Sequence, residues 1–212
     1  MLKNLLAGLH APVYRKRLQV LVDLILPHLR DNDRILDVGC GGGLLSLELM
    51  QKSSAQGIRV HAEGLERFPR GQEPIPVSPY GGGRFPFEDR SFDSVIIADV
   101  LHHEEDPMSL LRECRRVSKR DVIIKDHQLC GPLAKARVSL IDWAANAPYG
   151  VECLYRYNTP EEWASILRDL RLTPSALYLS IDLYPPGFNF LFGRRLQYLA
   201  VCSVPENQTV AP

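Results

Sequence analysis

The seven residues Asp37-Val38-Gly39-Cys40-Gly41-Gly42-Gly43 join a carboxylate to a glycine run. They stand where an apolar strand pattern, Ile35 to Val38, gives way to a helix pattern from Leu44 to about Gln51. Glycines at such a junction let the backbone turn tightly and leave room for a ligand against it. The crevice beyond the carboxyl ends of the strands is where open α/β sheets bind ligands. A dinucleotide-binding turn would read G-x-G-x-x-G. Here the third glycine comes one residue early, and Leu44 stands where that pattern has Gly or Ala, which argues against a nicotinamide oxidoreductase. Three histidines, His102, His103 and His127, follow strand ends on the same predicted face. Histidine accepts a proton readily near neutral pH, so His103 or His127 is the expected base for a bound hydroxyl group.

The elements that must position these residues can be read along the chain. Leu2, Leu5, Leu6 and Leu9 recur at helical spacing, Pro12 is expected to break that helix, and Leu18, Leu21, Val22 and Ile25 describe another that ends near Pro27. A second strand is expected over Ile58 to Leu65. Residues 69 to 91 read as irregular, with five prolines and the run Gly81-Gly82-Gly83; a loop of that length is functional or mobile. Ser94 to Ala98 and Val122 to Lys125 read as buried strands, separated by a helix from Asp106 to Val117. Asp106 is its expected N-cap, with Pro107 in the first turn. Residues 128 to 158 read as a mostly helical insertion. Thr159-Pro160-Glu161-Glu162 then carries the signature of a capping box. Leu177, Leu179, Ile181 and Leu183 alternate with polar positions as a half-buried strand would, and Leu196 to Val204 makes a final strand.

Strands alternating with helices predict an α/β fold, a Rossmann-like doubly wound seven-stranded sheet. It is mostly parallel, with one antiparallel strand at the end because no crossover helix separates the last two strands. A single domain over 1–212 is expected, with a helical cap at 1–30, a cofactor-binding core at 31–127, the insertion at 128–158 over the substrate pocket, and a closing helix and strands at 159–204.

The pattern D-x-G-x-G-x-G resembles the first motif of class I S-adenosylmethionine-dependent methyltransferases, whose cofactor has no pyrophosphate. Phe85-Pro86-Phe87-Glu88-Asp89-Arg90-Ser91-Phe92-Asp93-Ser94-Val95, continued by Leu101-His102-His103, is similar to the L-P-F-x-D-x-S-F-D-x-V…L-H-H stretch of small-molecule members such as the ubiquinone and menaquinone methyltransferases. The resemblance covers roughly Arg34 to Asp126. It implies S-adenosyl-L-methionine as cofactor and S-adenosyl-L-homocysteine as product. It places Asp37, Gly39, Cys40, Gly41 and Gly43 in the cofactor turn. It makes Glu66, at the end of the second strand, the acceptor for both ribose hydroxyls, with Glu63 as its rival. Asp99, Val100, Leu101 and His102 are then expected on the methionine side, with the Leu101 and Phe87 side chains packing in the core. The family's acidic contact to the adenine amine falls at Gly81 here, so the Gly81–Gly83 loop, including Gly82, is expected over the adenine.

Asp142, Trp143, Asn146, Tyr149, Tyr155 and Tyr157 give the insertion an aromatic and polar character suited to a small planar acceptor. Tyr14, Trp143, Asn146 and Tyr149 are its expected pocket residues. Asp126 beside His127 has no partner at a recognisable ligand spacing, so no metal is expected.

Composition narrows the partners. Lys plus Arg equal Asp plus Glu at 25 each, which argues against a protein held on nucleic acid by phosphate contacts. The basic runs Arg15–Arg17 and Arg115–Arg120 read as solvated surface. No apolar run approaches the ~20 residues needed to cross a bilayer. Five scattered cysteines without C-x-x-C spacing suggest reduced thiols and a cytoplasmic setting. The expected partner is a small-molecule acceptor, and the expected assembly a monomer or homodimer. A methyltransferase of protein or nucleic acid, or a non-catalytic cofactor binder on the same fold, is the alternative reading.

Overall fold

Side chains alternate across a strand, so a strand covered on both faces feeds two apolar layers at once. That division runs through the whole centre of this computed structural model, which describes residues 2–146 and 153–205, with side chains from residue 13 onward. The strands are β1 (Asp33–Val38), β2 (Val60–Glu66), β3 (Val77–Pro79), β4 (Phe92–Ala98), β5 (Ser118–His127), β6 (Thr173–Tyr178) and β7 (Gln197–Ser203). Ile35, Ile96, Ile123, Leu199 and Val201 face one layer; Leu36, Val95, Ile97, Val122, Ile124 and Ala200 face the other.

The first layer is closed by α1 (Leu2–Ile25) and α2 (Leu44–Ala55), through Leu21, Val22, Ile25 and Leu49. The second is closed by α3 (Pro107–Val117) and α5 (Pro160–Asp169), through Leu110, Leu111, Cys114, Trp163 and Leu167. Trp163 stacks on Tyr198 with ring centroids 4.6 Å apart. The insertion helix α4 (Ala134–Asn146) builds a smaller cluster with Val138, Tyr157 and Leu196, and α6 (Pro186–Phe192) precedes β7.

The seven strands lie in the order β3-β2-β1-β4-β5-β7-β6. All neighbouring pairs are parallel except those made by β7, which runs antiparallel to both β5 and β6. From β1 the chain winds outward to β2 and β3, then returns to place β4 on the other side. The switch point is therefore between the carboxyl ends of β1 and β4, where a doubly wound sheet leaves a crevice. The sheet has the predicted class, strand number and single reversed strand.

Local chemistry supports the helix starts. Asp106 accepts a hydrogen bond from Ser109 N–H at 2.9 Å. Thr159 and Glu162 form both halves of the capping box. Three local expectations are corrected. Pro12 does not break the leading helix, and α1 runs through it; one proline removes a single backbone hydrogen bond, which the turns on either side can outweigh. The segment 69–91 is not wholly irregular, because β3 pairs Gly64, Leu65 and Glu66 with Val77, Ser78 and Pro79. Proline is tolerated there because β3 is an edge strand. The penultimate strand lies at 173–178 rather than 177–183, with only an isolated bridge between Ile181 and Arg194 beyond it. A bulge between Pro174 and Ala176 shifts its register, which blurs the period-2 signal.

Candidate active site

The glycine turn forms where β1 meets β4. Gly39 has φ +68°, and a Cβ there would lie 2.4 Å from Val100 Cγ2. Only glycine allows that approach and that backbone conformation together. Gly41 is left-handed too, yet a Cβ on it would meet nothing within 4 Å. Its bareness leaves open space above the turn, the room a ligand needs. Gly43 opens α2 and is closed over by Ile75, while Cys40 packs under Gly64. Asp37 is buried and accepts a hydrogen bond from Ser46 Oγ at 2.8 Å, tying β1 to α2. Burial pushes its carboxyl up to about 6, against the opposing effect of the Ser46 bond.

Glu66 ends β2 beside this turn. Gly41 N–H donates to its Oε2 at 2.8 Å and Phe68 N–H to its Oε1 at 3.1 Å. A carboxylate offers about four lone-pair sites, so the group is oriented and still able to accept from two hydroxyls. Glu63 points elsewhere, paired with Arg34 at 2.7 Å. The loop carrying Gly82 leaves β3 next to this point, because Tyr80 N–H donates to Glu66 O at 2.9 Å. Gly82 itself has φ +104° and open space around it.

On the β4 side, Asp99 adopts φ +57° and is held in ion pairs with Arg17 of α1 and Lys125 of β5. Burial opposes ionisation of Asp99, but Lys125 and Arg17 hold its carboxyl well below the usual range. Burial also lowers the Lys125 ammonium, and Asp99 counters it. Val100 abuts Gly39; Leu101 sinks into the core.

Next comes a histidine–carboxylate cluster. His102 Nδ1 lies 2.6 Å from Asp126 Oδ1, and its Nε2 lies 3.6 Å from Asp142 Oδ1. His103 Nε2 is 3.7 Å from the same Asp142 oxygen. Asp142 also accepts from Tyr157 OH at 2.6 Å and from Asn146 Nδ2 at 2.7 Å. Burial disfavours charge on His102, yet Asp126 and Asp142 raise it to about 10. Burial works against ionisation of Asp142, but His102 and Tyr157 draw its carboxyl down to about 2. His127 goes the other way: burial and the nearby Lys125 push it down to about 4. One ligand atom from each of His102, His103 and Asp142 falls within 4.8 Å of the others, a grouping able to hold a metal ion.

Most of the expected site residues stand at or just beyond the carboxyl ends of β1, β2, β4 and β5, with differences. Leu101 packs in the core as expected. Trp143 is 55% exposed and Tyr14 41% exposed, with Tyr14 under the Arg17 guanidinium at 5.9 Å. Asn146 belongs to the histidine cluster, and Tyr149 lies outside the described residues. Sequence reasoning took Arg17 for solvated surface, whereas it is largely buried and paired with Asp99; it gave Lys125 no site role, and it noted Asp142 and Tyr157 only as part of a polar insertion. Lys125 did carry a signal, as a lysine closing the apolar run Val122-Ile123-Ile124.

A doubly wound sheet with a glycine turn at its switch point and a strand-end acid facing that turn has the arrangement of a nucleoside-binding crevice. Residues 36–124 match the family described as a methyltransferase domain. A ubiquinone biosynthesis O-methyltransferase of Dinoroseobacter shibae is 29% identical over 172 residues, covering 72% of this chain and 64% of that protein. The chain therefore aligns to less than two thirds of that relative's length. A SAM-dependent methyltransferase from Aquifex aeolicus superposes with TM-score 0.62 at 15% identity, covering 96% of this chain and 98% of the other. The Burkholderia thailandensis 1,6-didemethyltoxoflavin-N1-methyltransferase, solved with its substrate and S-adenosylhomocysteine, gives TM-score 0.60 at 16% identity over 90% and 79% of the two chains. Over residues 36–124 the chain is similar to the methyltransferase-domain family, and its fold is that of the S-adenosylmethionine-dependent methyltransferases it superposes on.

Proposed function

We propose that the protein transfers the methyl group of S-adenosylmethionine to a small-molecule acceptor. The observation that carries this reading is the Glu66 carboxylate, fixed by the N–H groups of Gly41 and Phe68 at the mouth of the glycine turn. Its free acceptor capacity suits the two hydroxyls of a ribose, and the empty space over Gly41 suits the nucleoside. Asp99, Val100 and His102 then bound the methionine side, and the Gly82 loop the adenine side. When bound, the cofactor supplies the electrophile, a methyl carbon on a sulfonium centre. The chain's own tasks are to hold the acceptor in line and to exclude water.

The acceptor is assigned to the solvent-facing side of the His102–His103–Asp142 cluster, beside Asn146 of α4. A hydroxyl there is ionised at that cluster. His103 is its more exposed member, with a side chain 19% exposed, whereas His127 is buried and its carbonyl is engaged by Trp163 Nε1 at 3.1 Å. The named O-methyltransferase relative supports an oxygen acceptor, and the toxoflavin enzyme supports a planar one. Among the described residues no helix is long and apolar enough to cross a membrane.

The test is transfer of isotopically labelled methyl from S-adenosylmethionine to a panel of catechols and hydroxylated quinols, alongside melting curves with S-adenosylhomocysteine. Stabilisation by the product and label in a phenolic ether support the reading. If neither cofactor form raises the melting temperature at millimolar concentration, it fails.

A further inference from the structure

We propose that His102, His103 and Asp142 form a site for one divalent transition-metal ion whose open position takes an oxygen of the acceptor. The inference rests on the methyl-transfer reading for the identity of that oxygen, but the ion site itself stands on geometry. It departs from the metal-free site expected from sequence, where Asp142, 39 residues beyond His103, offered no recognisable spacing.

Ligand identity comes first. Two imidazole nitrogens and one carboxylate oxygen suit zinc-like ions, and three protein ligands are the number that leaves a position open for water or substrate. Spacing agrees. Bonds of about 2.0–2.2 Å at near-tetrahedral angles put ligand atoms about 3.3–3.6 Å apart. Asp142 Oδ1 lies 3.6 Å from His102 Nε2 and 3.7 Å from His103 Nε2. The two imidazole nitrogens lie within 4.8 Å of each other, so one small ion fits between the three once the histidines close by up to about an ångström.

The supporting shell is already in place. A metal-bound histidine characteristically donates its other ring N–H to a carboxylate, which fixes its tautomer and orientation. His102 does this with Nδ1 on Asp126 Oδ1 at 2.6 Å, leaving Nε2 turned toward Asp142. Asp142 is steadied by Tyr157 OH and Asn146 Nδ2, so its carboxylate does not need to be ordered by the ion.

Charge agrees as well. Asp126 and Asp142 are both buried, and neither has a lysine or arginine partner among the described ion pairs. The nearby cations Arg17 and Lys125 are committed to Asp99. His102 lies between both carboxylates and balances one of them as an imidazolium; an ion bound at its Nε2 would displace that proton and supply the counter-charge for both. Asp126 Oδ2 and His127 Nδ1 are also buried without a hydrogen-bond partner among the described residues, so the region holds polar capacity that the protein alone does not fill.

The experiment uses the purified full chain, stripped with chelator and titrated with cobalt(II), a visible-light reporter for zinc sites. The expected result is saturation at one ion per chain with the absorption of a four- or five-coordinate N/O site, displaced by zinc. His103→Ala should weaken cobalt affinity by at least about tenfold, and Asp126→Asn, which removes only the orienting carboxylate, by roughly tenfold to 100-fold. Tyr157→Phe, outside the ligand set, keeps the one-to-one stoichiometry and serves as the folded control. An absence of saturable binding in the wild-type chain, or wild-type affinity in folded His103→Ala, overturns the proposal. Cobalt binding that persists while no acceptor is methylated would sink the functional reading and leave the ion site standing.

Discussion

Replacing Glu66 by alanine is expected to weaken S-adenosylhomocysteine binding by roughly 30- to 700-fold. The carboxylate spends two acceptor positions on Gly41 N–H and Phe68 N–H and keeps the remainder for ligand. Hydrogen bonds to a charged group contribute about 1.5–3 kcal/mol each, so two ribose hydroxyls account for about 3–6 kcal/mol. Water admitted by the shorter side chain recovers part of this, leaving a loss of about 2–4 kcal/mol. At about 1.4 kcal/mol per factor of ten, that is the stated range. Isothermal titration calorimetry measures the affinity, and a thermal melt without ligand separates binding from folding. Glu66→Gln should fall between wild type and alanine, because its amide oxygen still accepts while its NH₂ faces backbone donors. An Glu66→Ala protein that melts normally and binds within threefold of wild type would refute the assignment, and Glu63 would not replace it, since Arg34 already occupies that carboxylate.

Further outcomes follow from the same geometry. Asp37 has a folded-state value raised from 3.8 to about 6, so the folded state favours its protonated form and loses stability as pH rises through that window. Asp37→Asn should match wild type near pH 4 and exceed it by about 2–3 kcal/mol at pH 8, measured by urea unfolding at both values without cofactor. Equal differences at the two pH values would contradict the burial argument. Gly39→Ala meets Val100 at 2.4 Å and carries a left-handed φ. It should lower stability by more than the about 1–2 kcal/mol of backbone strain alone, and adding Val100→Ala should recover the excess but not the strain. Thr159→Ala should cost about 1 kcal/mol at α5. Combining it with Glu162→Ala should cost less than the sum, because the two side chains cap each other.

What could be read directly in the chain was local. The glycine turn, the Asp106 and Thr159 caps and the apolar strands each occupy a short window, and backbone sterics, capping and period-2 burial act at that range. The order of the elements was enough to predict a doubly wound sheet with one reversed strand, since chain connectivity restricts crossovers. Glu66 was singled out by the family resemblance, with strand alternation favouring it over Glu63, and the fold sets it against Gly41 N–H.

Other features belonged to the fold. The path of α1 through Pro12 depends on the apolar face that Leu21, Val22 and Ile25 bury against the sheet, which outweighs a local propensity. The pairing of Asp99 with Arg17 and Lys125 joins residues 82 and 26 positions away. The meeting of Asp142 with His102 and His103 depends on how α4 settles over the strand ends. Sequence windows carry short-range sterics; electrostatic partners across a sheet edge are set only when packing fixes which ends come together.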